Sequence, residues 1–226
     1  MSIWSRISDA LAALAQGEGL SAVFERLRTP PERSVGFTIA VIALSAKMAK
    51  ADGLVTRDEV TAFREVFQIS PEEEANAARV FNLARQDVAG FEDYARRIRG
   101  MFREENEAIC DLMEGLFHIA MADGTYHPAE DVFLQRVAEI LEMDPQRFRR
   151  LKARFVPGVA PDPYEVLGVS HDASAEEIRA AWRTAVREAH PDRMMSRGVP
   201  PEAIKLAERR LKDVNRAWEE IGRGAA

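Results

Sequence analysis

Residues 174–192 read SAEEIRAAWRTAVREAHPD, which spells out a helix, its start and an enforced stop. Ser174 followed three positions later by Glu177 is a capping box, each side chain accepting the other residue's backbone N–H. Ile178, Ala181, Trp182 and Ala185 fall at i, i+3, i+4 and i+7, one helical face that points inward. Arg179, Arg183 and Arg187 fall at i, i+4 and i+8 and form a separate basic stripe. The helix must stop at Ala189. Pro191 drives His190 toward extended backbone angles and would itself break an interior turn. His190 and Asp192 are therefore expected on an exposed loop, an imidazole and a carboxylate either side of a stiff proline.

Outward from this stretch the pattern completes a hairpin. Tyr164 to Val169 reads as a helical turn closed by Gly168, and Pro200-Pro201 opens a further long helix. Leu211, Val214, Trp218 and Ile221 give that helix an apolar face matching the first. Packed antiparallel, the two helices carry the His-Pro-Asp loop at their tip.

These residues resemble the J-domain family: Pro163-Tyr164 with Leu167-Gly168-Val169, then Ile178, Trp182 and Arg183, His190-Pro191-Asp192, and Asn215-Arg216-Ala217-Trp218. The resemblance implies that His190, Pro191, Asp192 and Arg193 engage a DnaK-type chaperone in its ATP-bound form. Arg179, Arg183 and Arg187 would meet an acidic surface of that partner, setting encounter rate and orientation. The chain would perform no catalysis and need no cofactor; it would favour the chaperone conformation that hydrolyses ATP. Ala185 and Ala189 stand where the family often has Leu and Tyr, and Arg193 replaces the more usual Lys. The sequence holds no Gly/Phe-rich segment and no Cys-x-x-Cys repeat, so the client-binding parts of larger members are missing.

Residues 156–163, VPGVAPDP, hold three prolines and a glycine and cannot continue a helix. Residues 156–162 read as a short stiff linker between a domain at 33–155 and the hairpin domain at 163–226. Every periodic segment of the first domain is helical, with helices expected near 33–51, 56–68, 71–86, 91–103, 105–122, 128–142 and 145–155. Thr56 with Glu59, Ser70-Pro71 with Glu73, Pro128 and Pro145 are start signals. The expected fold class is all-α, a duplicated helical bundle followed by a hairpin.

The duplication lies in two turns. Ala49-Lys50-Ala51-Asp52-Gly53 with Glu59 matches Ala120-Met121-Ala122-Asp123-Gly124 with Glu130, 71 residues later. Each pair of acids has the separation of positions 5 and 12 of an EF-hand loop, yet positions 1 and 3 would be Met48 and Lys50, or Ile119 and Met121, which cannot bind calcium. Two readings stay open. Asp52, Glu59, Asp123 and Glu130 could share one divalent ion between the repeats, or the glycines end helices in the left-handed conformation while the acids serve the next first turn. The paired turns resemble the TerB-like domain. Domain order and the stretch Arg197 to Glu202 look like the DjlA subgroup of J-domain proteins, which implies an N-terminal membrane span that no segment here supplies.

Residues 1–32 are read as peripheral. Ile3, Ile7, Leu11 and Leu14 share a helical face, a docking helix over the core, the alternative being weak attachment to a membrane surface. Its polar face offers only Arg6, where such surface helices carry several basic residues. The apolar run from Val35 to Ala46 spans 12 residues against the roughly 20 a membrane span needs, so it reads as a buried core helix.

Among 226 residues the formal charge is −6, which argues against nucleic acid as partner. The lone Cys110, beside Ile109, reads as a small buried hydrophobe and excludes an internal disulfide, as suits a reducing cytosol. His118 falls in an apolar run and reads as a core residue, His127 as a helix cap, and His171 as a loop residue, with no triad or ligand spacing among them. The leading function is a co-chaperone aimed by its first domain at a client or site the sequence does not name. The competing one is a stress-response or metal-binding scaffold acting through the acidic repeat.

Overall fold

The computed structural model describes residues 32–51, 90–103, 106–156 and 162–224, with single positions at 7, 61, 66, 67, 69 and 75. The chain is all-α; no strand occurs among the described residues. The first domain contributes α1 (Glu32–Ala51), α2 (Phe91–Met101), α3 (Asn106–Ala120), α4 (Pro128–Ile140) and α5 (Pro145–Phe155). The second contributes α6 (Pro163–Leu167), α7 (Ala175–Glu188), α8 (Pro191–Ser196) and, after a 3-10 turn, α9 (Ile204–Gly224). The helices expected near 56–68 and 71–86, and the turn carrying Asp52 and Glu59, lie outside the described residues. So does the N-terminal segment except Ile7, which is fully buried in the first domain's core.

From Val35 to Met48 α1 is buried on every face, because it is apolar on every face. It packs against α2, α3 and α4. Even Lys47 is covered, its ammonium lying 5.7 Å from the Tyr94 ring centre. Local chemistry sets the helix ends. Asp144 caps α5 by accepting the Arg147 N–H at 2.9 Å, with Pro145 at the first helical position. Past the end of α4, Glu142 takes a left-handed φ of 56° that glycine usually occupies, and Arg99 holds its carboxylate at 2.9 Å. Among the described residues no helix is long and apolar enough to cross a membrane.

The hairpin has only a small core of its own. Leu167, Ile178, Val214, Ala217 and Ile221 are buried, ringed by Tyr164, Trp182 and Trp218. The two tryptophan rings stack at 5.1 Å, and Trp182 Nε1 donates to Asn215 Oδ1 at 3.1 Å.

Separation by a linker suggests two independent bodies, but the structure joins them. Met194, Val199, Ala203, Leu206 and Ala207 of the second domain lie in the apolar core of the first. An ionic cluster surrounds this seam. Asp111 and Glu114 of α3 are 0% and 1% exposed, and buried charges of this kind persist only when paired. Arg197 donates to Asp111 Oδ2 from Nη2 at 2.9 Å and Nε at 3.1 Å. Arg210 donates from Nε to Glu114 Oε2 at 2.8 Å. Arg154 of α5 donates to Glu114 at 2.9 Å and to Asp213 of α9 at 3.0 Å. Arg210 also lies 2.7 Å from Asp111 Oδ1, but off the hydrogen-bond direction, so that contact is ionic only.

The two buried acids respond in opposite ways. Burial raises the Glu114 carboxyl, and Arg210 with Arg154 more than reverses it, holding it low. At Asp111, whose Oδ1 accepts no hydrogen bond, burial prevails over Arg210 and Arg197 and the carboxyl is raised.

Candidate functional site

The His-Pro-Asp turn is built by the ends of two helices. Ser174 caps α7 reciprocally with Glu177: the Ser174 N–H donates to Glu177 Oε2 at 2.7 Å, and the Glu177 N–H to Ser174 Oγ at 3.3 Å. The helix ends at Glu188, with Ala189 as its C-cap. His190 then adopts φ −67° and ψ 135°, the extended geometry a following proline demands. The structure corrects the expected loop at Pro191. That residue occupies the first position of α8, so the segment re-enters a helix at once and His190 is its N-cap.

The Asp192 N–H donates to His190 Nδ1 at 3.2 Å. With Nδ1 accepting, the neutral ring carries its proton on Nε2. The His190 and Asp192 side chains are 59% and 80% exposed, with Nδ1 and Oδ2 3.7 Å apart. Arg193 is exposed beside them, 3.6 Å from Glu188. Arg179, Arg183 and Arg187 are all exposed along α7. One imidazole, one carboxylate and a row of guanidinium groups thus face outward, while the seam with the first domain takes other residues. Such a surface can grip another protein through charge and directed hydrogen bonds.

A family model described as DnaJ domain matches residues 162–223, and one described as Tellurite resistance protein TerB matches residues 38–153. The chain belongs to the TerB family, with a J domain following. Similar proteins match over most of the chain. One named Co-chaperone protein DjlA from Vibrio cholerae is 27% identical over 94% of this chain and 86% of its own length. Those of the same name from Photobacterium profundum and Coxiella burnetii are each 27% identical, over 91% and 77% of this chain and 84% and 72% of their own. No solved structure matches.

In the TerB domain the acidic turn at 123–130 works as a cap. Gly124 is left-handed at φ 81°. Asp123 Oδ1 accepts the Thr125 N–H at 2.8 Å, a bond that holds its carboxyl below the usual range. The buried Glu130 accepts the N–H of His127, the N-cap of α4, at 2.9 Å. Asp52 and Glu59 lie outside the described residues, so the structure does not bring the four acids together. Among the described residues no three His, Cys, Asp or Glu side chains are grouped to hold a metal. Cys110 is buried, and burial pushes its thiol up to about 12.

The seam residues Asp111, Glu114, Arg154, Arg197 and Arg210 hold the two domains together, and sequence patterning does not single them out. A local signal is Asp111 and Glu114 at i and i+3 inside Ala108–Ala120, which is otherwise apolar but for His118. His118 corrects a second expectation. It is half-buried at the edge of the core, where Arg209 of α9 lies against it with Nη1 2.9 Å from Nε2. His171 lies on an exposed turn, its Nε2 2.6 Å from Asp162 and its ring 4.6 Å from the Tyr164 ring at a tilt of 35°.

Proposed function

We propose that the chain is a co-chaperone that accelerates ATP hydrolysis by a DnaK-type chaperone, with the TerB domain deciding where or on what client the chaperone is loaded. The chemistry belongs to the partner. This chain supplies binding energy that favours the partner's hydrolysing conformation, and a reducing cytosol suits its unpaired thiol. The observation carrying this reading is the exposure of His190 and Asp192 beside the stripe of Arg179, Arg183 and Arg187, all left uncovered by the TerB domain. The DnaJ match and the relatives named as co-chaperones support it.

The test is single-turnover ATP hydrolysis by a purified DnaK-type chaperone. Wild type is expected to accelerate it, and His190→Gln to abolish the acceleration. Helix content should stay unchanged, since the His190 ring contributes one cap bond worth about 1 kcal/mol. Equal acceleration by wild type and variant, or none by wild type, contradicts the proposal.

A further inference from the structure

We infer that Asp111, in the TerB domain, is a positioning residue for the J domain's His-Pro-Asp turn, acting through Arg197. The Arg197 guanidinium joins three points: Asp111 Oδ2 at 2.9 Å, Glu188 Oε2 at 2.8 Å and the Glu188 backbone carbonyl at 3.1 Å. Glu188 is the last residue of α7, two before His190, and Arg197 comes directly after the last residue of α8. One planar cation therefore ties both ends of the turn to a fixed anion in the neighbouring domain, the fork geometry for which arginine is suited.

The apolar contacts agree. Ala189, directly before the turn, is fully buried, and Met194 and Val199 after it are each 2% exposed. Met194 and Val199 lie in the TerB core. Only the turn itself projects. The side chains that face a partner are thus held from behind by groups that face none, which limits the conformations lost on binding. Asp111 Oδ1 accepts no hydrogen bond, so the Arg197 link is the directed part of what this buried carboxylate does.

This inference rests on the co-chaperone reading for its functional consequence, and its structural half can be tested without it. The full chain carrying Asp111→Asn, Arg197→Met or both is compared with wild type by amide hydrogen exchange. The N–H groups of Met194, Arg197, Gly198 and Val199 bond to carbonyls at 190–195, and so report the turn. In both single variants their exchange should rise about tenfold or more, the scale of losing a charge-assisted hydrogen bond. The rise should be largest in the turn and smaller in the interior of α7. The double variant should not exceed Arg197→Met, because that change already removes the link that Asp111→Asn breaks.

With the chaperone present, the concentration for half-maximal stimulation should rise several-fold at an unchanged maximum. Arg197→Met guards against misfolding from Asp111→Asn, because methionine keeps the apolar stem. Exchange that rises only within α3 to α5, additive effects of the two changes, or a lowered maximum at unchanged half-maximal concentration would each overturn the inference. If wild type gives no stimulation, the proposed function falls while the exchange data still decide the link.

Discussion

At Gly115 the two domains come close enough for a single methyl group to be informative. The residue lies within α3, and a Cβ built there would meet Leu206 Cδ1 of α9 at 3.8 Å and both Val41 methyls of α1 at 3.9 Å. Those are ordinary van der Waals separations, so the space accepts a methyl but nothing longer. Glycine inside a helix costs about 0.8–1 kcal/mol relative to alanine, and no left-handed angle requires it here. Gly115→Ala should therefore stabilise the protein by about 0.5–1 kcal/mol, seen as a raised urea midpoint at unchanged slope. Gly115→Leu must displace Leu206 and should destabilise by about 1–3 kcal/mol. A lowered midpoint for the alanine variant would mean the seam is tighter than these separations imply.

The pairing of α3 with α5 carries a pH dependence of defined sign. Glu107, near the start of α3, is ion-paired with Arg147 of α5. Burial raises the Glu107 carboxyl, and the Arg147 hydrogen bond and charge, aided by Arg210 and Arg197, bring it below the usual glutamate range. A lowered folded value means stabilisation that is complete above the unfolded value, about 4.3, and lost as pH falls through the folded one. The pair is about a third exposed, so its contribution is about 0.5–1 kcal/mol. Glu107→Gln should cost up to that much at neutral pH, and the gap from wild type in urea titrations should close on acidification. A gap that persists at about pH 2 contradicts the assignment. Elements also set what is legible in the sequence. The cap and stop of α7 are legible because both are local, Ser174 with Glu177 and Pro191. The restart at Pro191 is less so: a proline that ends one helix can also open the next from its first position, as Pro128 and Pro145 do. The charges on α3 are not legible in role, since Arg197 and Arg210 lie 86 and 96 residues away from the acids they bond.

For the molecule as a whole, the linker sequence suggests two bodies and the seam makes them one cooperative unit. A hairpin with five buried side chains of its own is marginal by itself. It gains Met194, Val199, Ala203, Leu206 and Ala207 as part of the TerB core, and its Arg197 and Arg210 join Arg154 of α5 in neutralising two buried acids. Undocking would expose those apolar side chains, leave Asp111 without a partner and leave Glu114 with Arg154 alone, which costs several kcal/mol. Neither domain is then expected to melt while the other stays folded. Scanning calorimetry of the full chain should give one transition, with calorimetric and van't Hoff enthalpies equal. Arg197→Met should weaken the coupling and bring out an earlier hairpin transition, displaced by about 4–8 °C per kcal/mol for a domain of this size. Two resolved peaks in the wild type would mean that the J domain is tethered rather than docked.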